Sequence, residues 1–240
     1  MAPNEVGAAL GLGPDRPPCA SAQLQLRRES NLAITLKSLL QPGRAAFVMC
    51  EVQPGVIGPS APWPALSEAA AKVDLIGNAA RIADAARKNE APVIHCTAET
   101  LPGHFGANTN ARLFASARKL GGLGRTPEAD KPAPEVWRDG DILLPRYHGT
   151  SPLTGSSLDS VLRNHGVTTL VLSGVSLCFA ILNTTFDAVN RAYQVIIPRD
   201  AAAGNPEPYA EAVLTNTLSM LATICTTDEL LSAWERPNEG

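Results

Sequence analysis

Apolar residues along this chain gather into short unbroken runs, and the stretches between the runs carry apolar positions at helical spacing. The runs are AAFVMC (45–50), PVIHCT (92–97), DILLP (141–145), TTLVLSG (168–174), YQVIIP (193–198) and LATICT (221–226). A short apolar run without alternation predicts a strand buried on both faces. Helical spacing predicts helices over 66–88, 107–120, 156–165, 179–191 and 206–220, with a last one opening at Asp228. Buried strands alternating with helices require a parallel sheet covered on both sides. The expected fold is therefore α/β, a six-stranded parallel sheet in a three-layer arrangement.

Composition narrows this picture. Residues 1–30 are rich in Ala, Gly and Pro, with Pro14, Pro17 and Pro18, and have no sustained period, so a flexible tail is expected there and a single domain over 31–240. A 45% hydrophobic share against 18% charged residues suits a globular body. The segment 121–138, GGLGRTPEADKPAPEVWR, reads as a long surface excursion over the sheet. Net charge is −3 without a block of Lys or Arg, which argues against nucleic acid as a partner. Neither a leader pattern nor an apolar stretch of bilayer length is present, so no membrane association is expected. Five cysteines, odd in number and without CxxC pairing, point away from disulfides and zinc and toward a reducing, cytoplasmic setting.

Ligands of open parallel sheets bind beyond the carboxyl ends of the strands. Those ends offer Glu51 after the first run, His95 to Glu99 around the second, Arg146 to His148 after the third and Gly174 to Ala180 after the fourth. A carboxyl, a guanidinium and a helix amino terminus would then share one edge. Such a terminus presents unpaired N–H groups that can stabilise a developing oxyanion.

The block LPRYHGTSPLTGSSLDSVLRNHGVTTLVLSGVSLCFAILNTTFDAVNRAYQVIIPRDAAAG (144–204) resembles the isochorismatase-like superfamily, which includes nicotinamidases, carbamoyl amide hydrolases and isochorismatases. The resemblance extends from about residue 45 to 231. It implies the same fold, a small-molecule substrate and, since relatives commonly form dimers or tetramers, a homo-oligomer. The family's usual triad is an aspartate after the first strand, a lysine after the third and a cysteine at the helix start. Here Glu51, Arg146 and Ala180 stand at those places. The resemblance also marks Gln53, Glu99, Tyr147, Ser176, Leu177 and Phe179 as substrate-binding candidates.

Without a thiolate at position 180 a thioester route has no nucleophile. Cys178 is the nearest thiol, but two residues along a helix is about 200° of rotation, so it is expected to face away as a small buried hydrophobe. Isochorismatases resemble this family and also lack the cysteine. On that precedent Glu51, its pKa raised by burial, would protonate a vinyl ether or activate water on an amide or carbamoyl group, and Arg146 would hold a substrate carboxylate. The competing reading is a chain that keeps the fold and has lost the chemistry, serving as a ligand-binding or oligomeric structural protein.

Other residues carry two readings each. His148 is a candidate base or a loop residue without a role. His95, Glu99 and His104 depart from the metal-binding spacing of nicotinamidase relatives, so neither metal nor cofactor is expected. Asn108, Asn110 and Arg112 are expected to cap a helix. His165, Asp187 and Asp200 are expected to be structural. Trp63, Phe105, Trp137 and Tyr147 are candidates for an apolar lid.

Overall fold

The computed structural model describes residues 35–59, 61–120 and 126–235. The expected tail over 1–30 and the start of the 121–138 excursion lie outside the described residues. All six apolar runs form strands: β1 (Ala45–Cys50), β2 (Val93–Cys96), β3 (Ile142–Leu143), β4 (Thr169–Val175), β5 (Gln194–Pro198) and, after the two-residue β6 (Ala202–Ala203), β7 (Thr223–Cys225). The strands pair in parallel in the order β3-β2-β1-β4-β5-β7, with β6 alongside the end of β4. Among the described residues the sheet thus has seven strands where six are expected. Two alanines are too short a run to stand out in the sequence as β6.

The central pair is β1 and β4, aligned from Ala45 opposite Thr169 to Cys50 opposite Gly174. Successive side chains of a strand point to opposite faces, so one strand feeds two cores. Phe47 and Met49 of β1, with Val171 and Val175 of β4, face one core. Val48 and Cys50, with Leu170 and Leu172, face the other. Each fully buried Leu, Ile or Phe contributes about 1.5–3 kcal/mol, which is why both faces must be covered.

The first core is covered by α1 (Leu36–Leu39), α2 (Pro54–Ile57), α3 (Pro64–Lys72) and α4 (Leu75–Lys88). Two surface helices follow, α5 (Arg112–Lys119) and α6 (Pro127–Asp130). The second core is covered by α7 (Pro152–Gly155), α8 (Leu158–Asn164), α9 (Ala180–Asn190) and α10 (Glu207–Asn216), while α11 (Thr227–Trp234) returns to the first. The helix expected over 66–88 is two helices. Asp74 adopts φ 48°, a left-handed turn that breaks the α3–α4 run, and its carboxylate occupies the space that a Cβ at Gly77 would need. Apolar spacing continues on both sides of the break, so periodicity alone passes over it. Likewise the helix expected from 107 begins only at Arg112. No described helix is long and apolar enough to cross a membrane.

Candidate functional site

Three strand ends build one cavity. Beyond Cys50 the chain turns at Glu51 with φ 59°, while its N–H still donates to Cys96 O at 2.9 Å. Glu51 thus closes the sheet's hydrogen bonding and leaves the strand direction in the same residue. Arg146 extends β3: its N–H donates to Thr97 O at 2.9 Å and its carbonyl accepts from Glu99 N at 3.0 Å. Its Nη2 donates to Glu51 Oε1 and its Nη1 to the carbonyl of Gly149. The side chains of both ions are largely buried, 8% exposed for Arg146 and 16% for Glu51. The stem of Arg146 lies on Gly155, where a Cβ would come within 2.7 Å of Arg146 Cγ. Burial pushes the Glu51 carboxyl above its usual range, and the facing Arg146 opposes that shift without cancelling it.

Behind the ion pair, Gly174 sits opposite Cys50 with φ 111°, and a Cβ there would fall 2.0 Å from Cys50 O. Only glycine lets β1 and β4 approach at this point. The Val175–Ser176 peptide is cis. Leu177 N–H then donates to Ala203 O, and the N–H groups of Phe179 and Ile181 both donate to Ser176 O. The Ala180 N–H between them has no backbone acceptor among the described residues. Ala180 opens α9 after a non-helical Phe179.

These pieces enclose a cleft of about 170 Å³. Glu51, Arg146, Thr150, Ser176 and Asn205 supply its polar lining, and Val56, Trp63, Leu66, Leu113, Phe114, Phe179 and Ala180 its apolar lining. Leu113, Phe114 and Ala117 come from α5, a helix with no fully buried residue. A smaller chamber of about 60 Å³ adjoins it, sharing Arg146, Gly149, Phe114 and Ala117.

The structure therefore brings Glu51, Arg146, Ser176, Phe179 and Ala180 to one cleft. Cys178 lies elsewhere. It precedes α9 in the turn, donates its N–H to Ser176 Oγ at 3.1 Å, and packs in the second core, where a Cβ on Gly204 would be 3.2 Å from its sulfur. Burial raises its thiol pKa. The expected reason, rotation along a helix, is replaced by a different one, because Cys178 is not helical. Leu177 is buried in the same core.

Gln53 is fully buried and holds Ala98 from both sides, accepting its N–H at 2.6 Å and donating to its carbonyl at 3.0 Å. It braces the β2 end and does not line the cleft. Glu99, Tyr147 and His148 line the smaller chamber with His104, and Glu99 accepts the Thr97 hydroxyl at 2.7 Å. The expected lid is dispersed: Trp63 is a wall of the cleft, Tyr147 faces the smaller chamber, Phe105 is 79% exposed, and Trp137 packs on His95 at 5.1 Å. Arg146 donates one hydrogen bond from each terminal nitrogen, Nη2 to Glu51 and Nη1 to the Gly149 carbonyl, so its charge is already paired within the protein.

His95 is a core residue whose Nε2 meets Asp141 Oδ2 at 2.8 Å, and Arg87 donates to both oxygens of the same carboxylate. Asn108 does not cap α5, whose N-cap is Ala111 with no side-chain bond. Its Oδ1 instead accepts the N–H of Gly149 at 2.7 Å, on the far side of the loop that holds Arg146. Asp187 accepts the Thr154 hydroxyl, Asp200 accepts the N–H and hydroxyl of Thr227, and His165 ends α8. Sequence reasoning missed Thr150, Asn205, Leu113 and Phe114 as lining residues. The apolar pair Leu113–Phe114 with Ala117, on a helix that also carries Arg112, Ser116, Arg118 and Lys119, was the available signal.

The isochorismatase domain family matches residues 45–229. Over 80 residues the chain is 39% identical to ureidoacrylate amidohydrolase RutB of Methylobacterium radiotolerans, an overlap covering 32% of this chain and 30% of that protein. An isochorismatase family protein from Burkholderia thailandensis superposes with a TM-score of 0.68 at 22% identity, covering 82% of this chain and 98% of that one. The N-carbamoylsarcosine amidase from Thermoplasma acidophilum does so with a TM-score of 0.60 at 22% identity, covering 77% and 97%. With the domain matched over most of its length and the fold shared, this chain belongs to the isochorismatase-like hydrolase family.

Proposed function

We propose that this protein hydrolyses a small metabolite without a covalent thiol intermediate, with Glu51 as the proton-transfer group. The observation that carries this reading is the lining of the cleft: a methyl group, Ala180, stands beside the Glu51–Arg146 pair, and the adjacent thiol, Cys178, is packed into the core. A carboxyl with raised proton affinity is then the group suited to the work.

Two hydrolyses fit the same arrangement. On a vinyl ether, protonated Glu51 gives its proton to the terminal carbon of the double bond, and water adds to the resulting oxygen-stabilised cation. The hemiketal collapses to a carbonyl compound and an alcohol, and a proton returns to Glu51. On an amide or carbamoyl group, ionised Glu51 takes a proton from the attacking water, the Ala180 N–H meets the oxyanion, and the proton passes to the leaving nitrogen. Arg146 fixes the carboxyl and restrains its pKa in both. The relatives named as amidohydrolase and amidase favour the C–N version.

The test is a hydrolysis screen of small amides, carbamoyl compounds and vinyl ethers. Glu51→Gln is expected to lower turnover by about 10²–10⁴-fold, the span typical of a lost general acid or base. Cys178→Ser is expected to retain it. Loss of turnover in the serine variant would restore the thiol route. A second reading, a binding or structural protein without turnover, is favoured by the substitution of all three triad positions, and a native protein inactive on every class would support it.

We further infer a homo-oligomer in a reducing cytoplasm. Phe186 and Val189 stand exposed on α9, with Phe179 exposed just before it, and the four described cysteines are free. Size-exclusion chromatography with light scattering is expected to give a mass above that of one 25.2 kDa chain.

A further inference from the structure

We propose that the molecule bound in the cleft is uncharged, with an aromatic or alicyclic body and a neutral polar group, and that it makes no salt bridge to the protein. Of the charged residues, only Glu51 and Arg146 line the cleft among the described residues, and they are paired with each other. Arg146 is committed to partners within the protein. Its Nη1 is held by the Gly149 carbonyl, and its stem is seated on Gly155. Gly149 is fixed in turn by Asn108 at 2.7 Å.

A ligand carboxylate entering here would set two carboxylates against one guanidinium in a poorly solvated space. Like charges so placed disfavour binding, and this works as discrimination against anions. The remaining polar contacts, Thr150, Ser176 and Asn205, are neutral hydroxyls and an amide, suited to an amide, carbamoyl or ether group. The rings of Trp63, Phe114 and Phe179 line the same cleft. The volume, about 170 Å³, exceeds the roughly 150 Å³ of an apolar cavity known to hold benzene, so a single ring with a short polar appendage fits.

The inference rests on the proposed hydrolase reading only for which end of the ligand reacts; neutrality follows from the ion pair. The test uses two molecules of the same shape, phenylacetamide and phenylacetate, titrated calorimetrically into the full chain at neutral pH. The amide is expected to bind about tenfold or more tightly than the carboxylate, since an unpaired charge in a dry site costs more than one decade of affinity. Glu51→Gln, which leaves Arg146 uncompensated, is expected to reverse the preference. The double variant Glu51→Gln/Arg146→Met, which removes both charges and does not depend on the single variant folding, is expected to keep the amide preference. Trp63→Ala and Phe114→Ala are each expected to weaken amide binding about tenfold.

Equal or tighter binding of phenylacetate to the native protein would overturn the proposal. So would loss of the amide preference in the double variant, or failure of both molecules to bind at millimolar concentration. Selective amide binding without hydrolysis of any substrate class would sink the hydrolase reading and leave this one standing.

Discussion

Arg146 joins Glu51 to Gly149, one terminal nitrogen donating to the Glu51 carboxylate and the other to the Gly149 carbonyl. Two chain segments that are far apart in sequence are thereby locked at the carboxyl edge of the sheet. Breaking a buried pair by removing one partner leaves an uncompensated charge. Arg146→Ala is therefore expected to cost about 3–5 kcal/mol in urea denaturation, whereas Glu51→Gln/Arg146→Met is expected to be close to native.

The pH dependence of the same pair has a definite sign. Burial raises the Glu51 pKa above its ordinary 4.5, Arg146 notwithstanding, so the native state holds that proton more firmly than the unfolded chain does. The stability it confers is complete below 4.5 and is lost as pH climbs through the folded value. The stability difference between native protein and Glu51→Gln should drift against the native protein as pH rises, measured by denaturant titration across that range. A flat difference would mean that Glu51 has the same proton affinity folded and unfolded.

A second network titrates in the opposite sense. His95 is pushed below its ordinary 6.5, first by burial, although Asp141 pulls it back. Its neutral form is native, so its contribution is complete above 6.5 and fades as pH falls through the lower folded value. Asp141 gathers Arg87, His95 and the Arg138 N–H on one carboxylate that is 4% exposed. Asp141→Asn is expected to cost about 3 kcal/mol and to loosen the 133–141 segment, read as faster proteolysis there.

Gly155 does not touch the cleft, yet it should matter to it. A Cβ at this position would meet His148 O at 2.6 Å and Arg146 Cγ at 2.7 Å. Gly155→Ala is expected to cost about 1–3 kcal/mol by overpacking and to displace the guanidinium from Glu51, lowering turnover in proportion. Gly174→Ala is expected to be harsher, above about 4 kcal/mol, since its Cβ would overlap Cys50 O in the middle of the sheet.

How much of this was readable in advance depends on the range of the interaction. The strands β1, β4 and β5 announce themselves because burial on both faces removes polar alternation, leaving only small buried hydroxyls at Thr169 and Ser173 and a polar Gln194 at the start of β5. Counting from Gly174 to Ala180 locates the helix start because a glycine is required at that close approach and helix α9 follows at once. The break at Asp74 is a single left-handed residue inside unbroken apolar spacing, and no periodic pattern records it. Asn108 looked like a cap because asparagine before a helix usually is one. Its actual partner, Gly149, is 41 residues away, and only the folded chain brings them together. Cys178 is likewise illegible locally, since it precedes the helix and is buried in the second core by residues distant in sequence.

The wall formed by α5 sets how traffic through the cleft is controlled. Leu113, Phe114 and Ala117 close one side, yet the helix that carries them has no fully buried side chain. Few buried contacts mean a low local opening free energy, so its amides are expected to exchange with deuterium far sooner than those of β1 and β4. Arrival and departure of solutes can then proceed by fraying of one short segment while the sheet stays intact, and residence time becomes a property that substitutions on α5 can retune without touching Glu51 or Arg146.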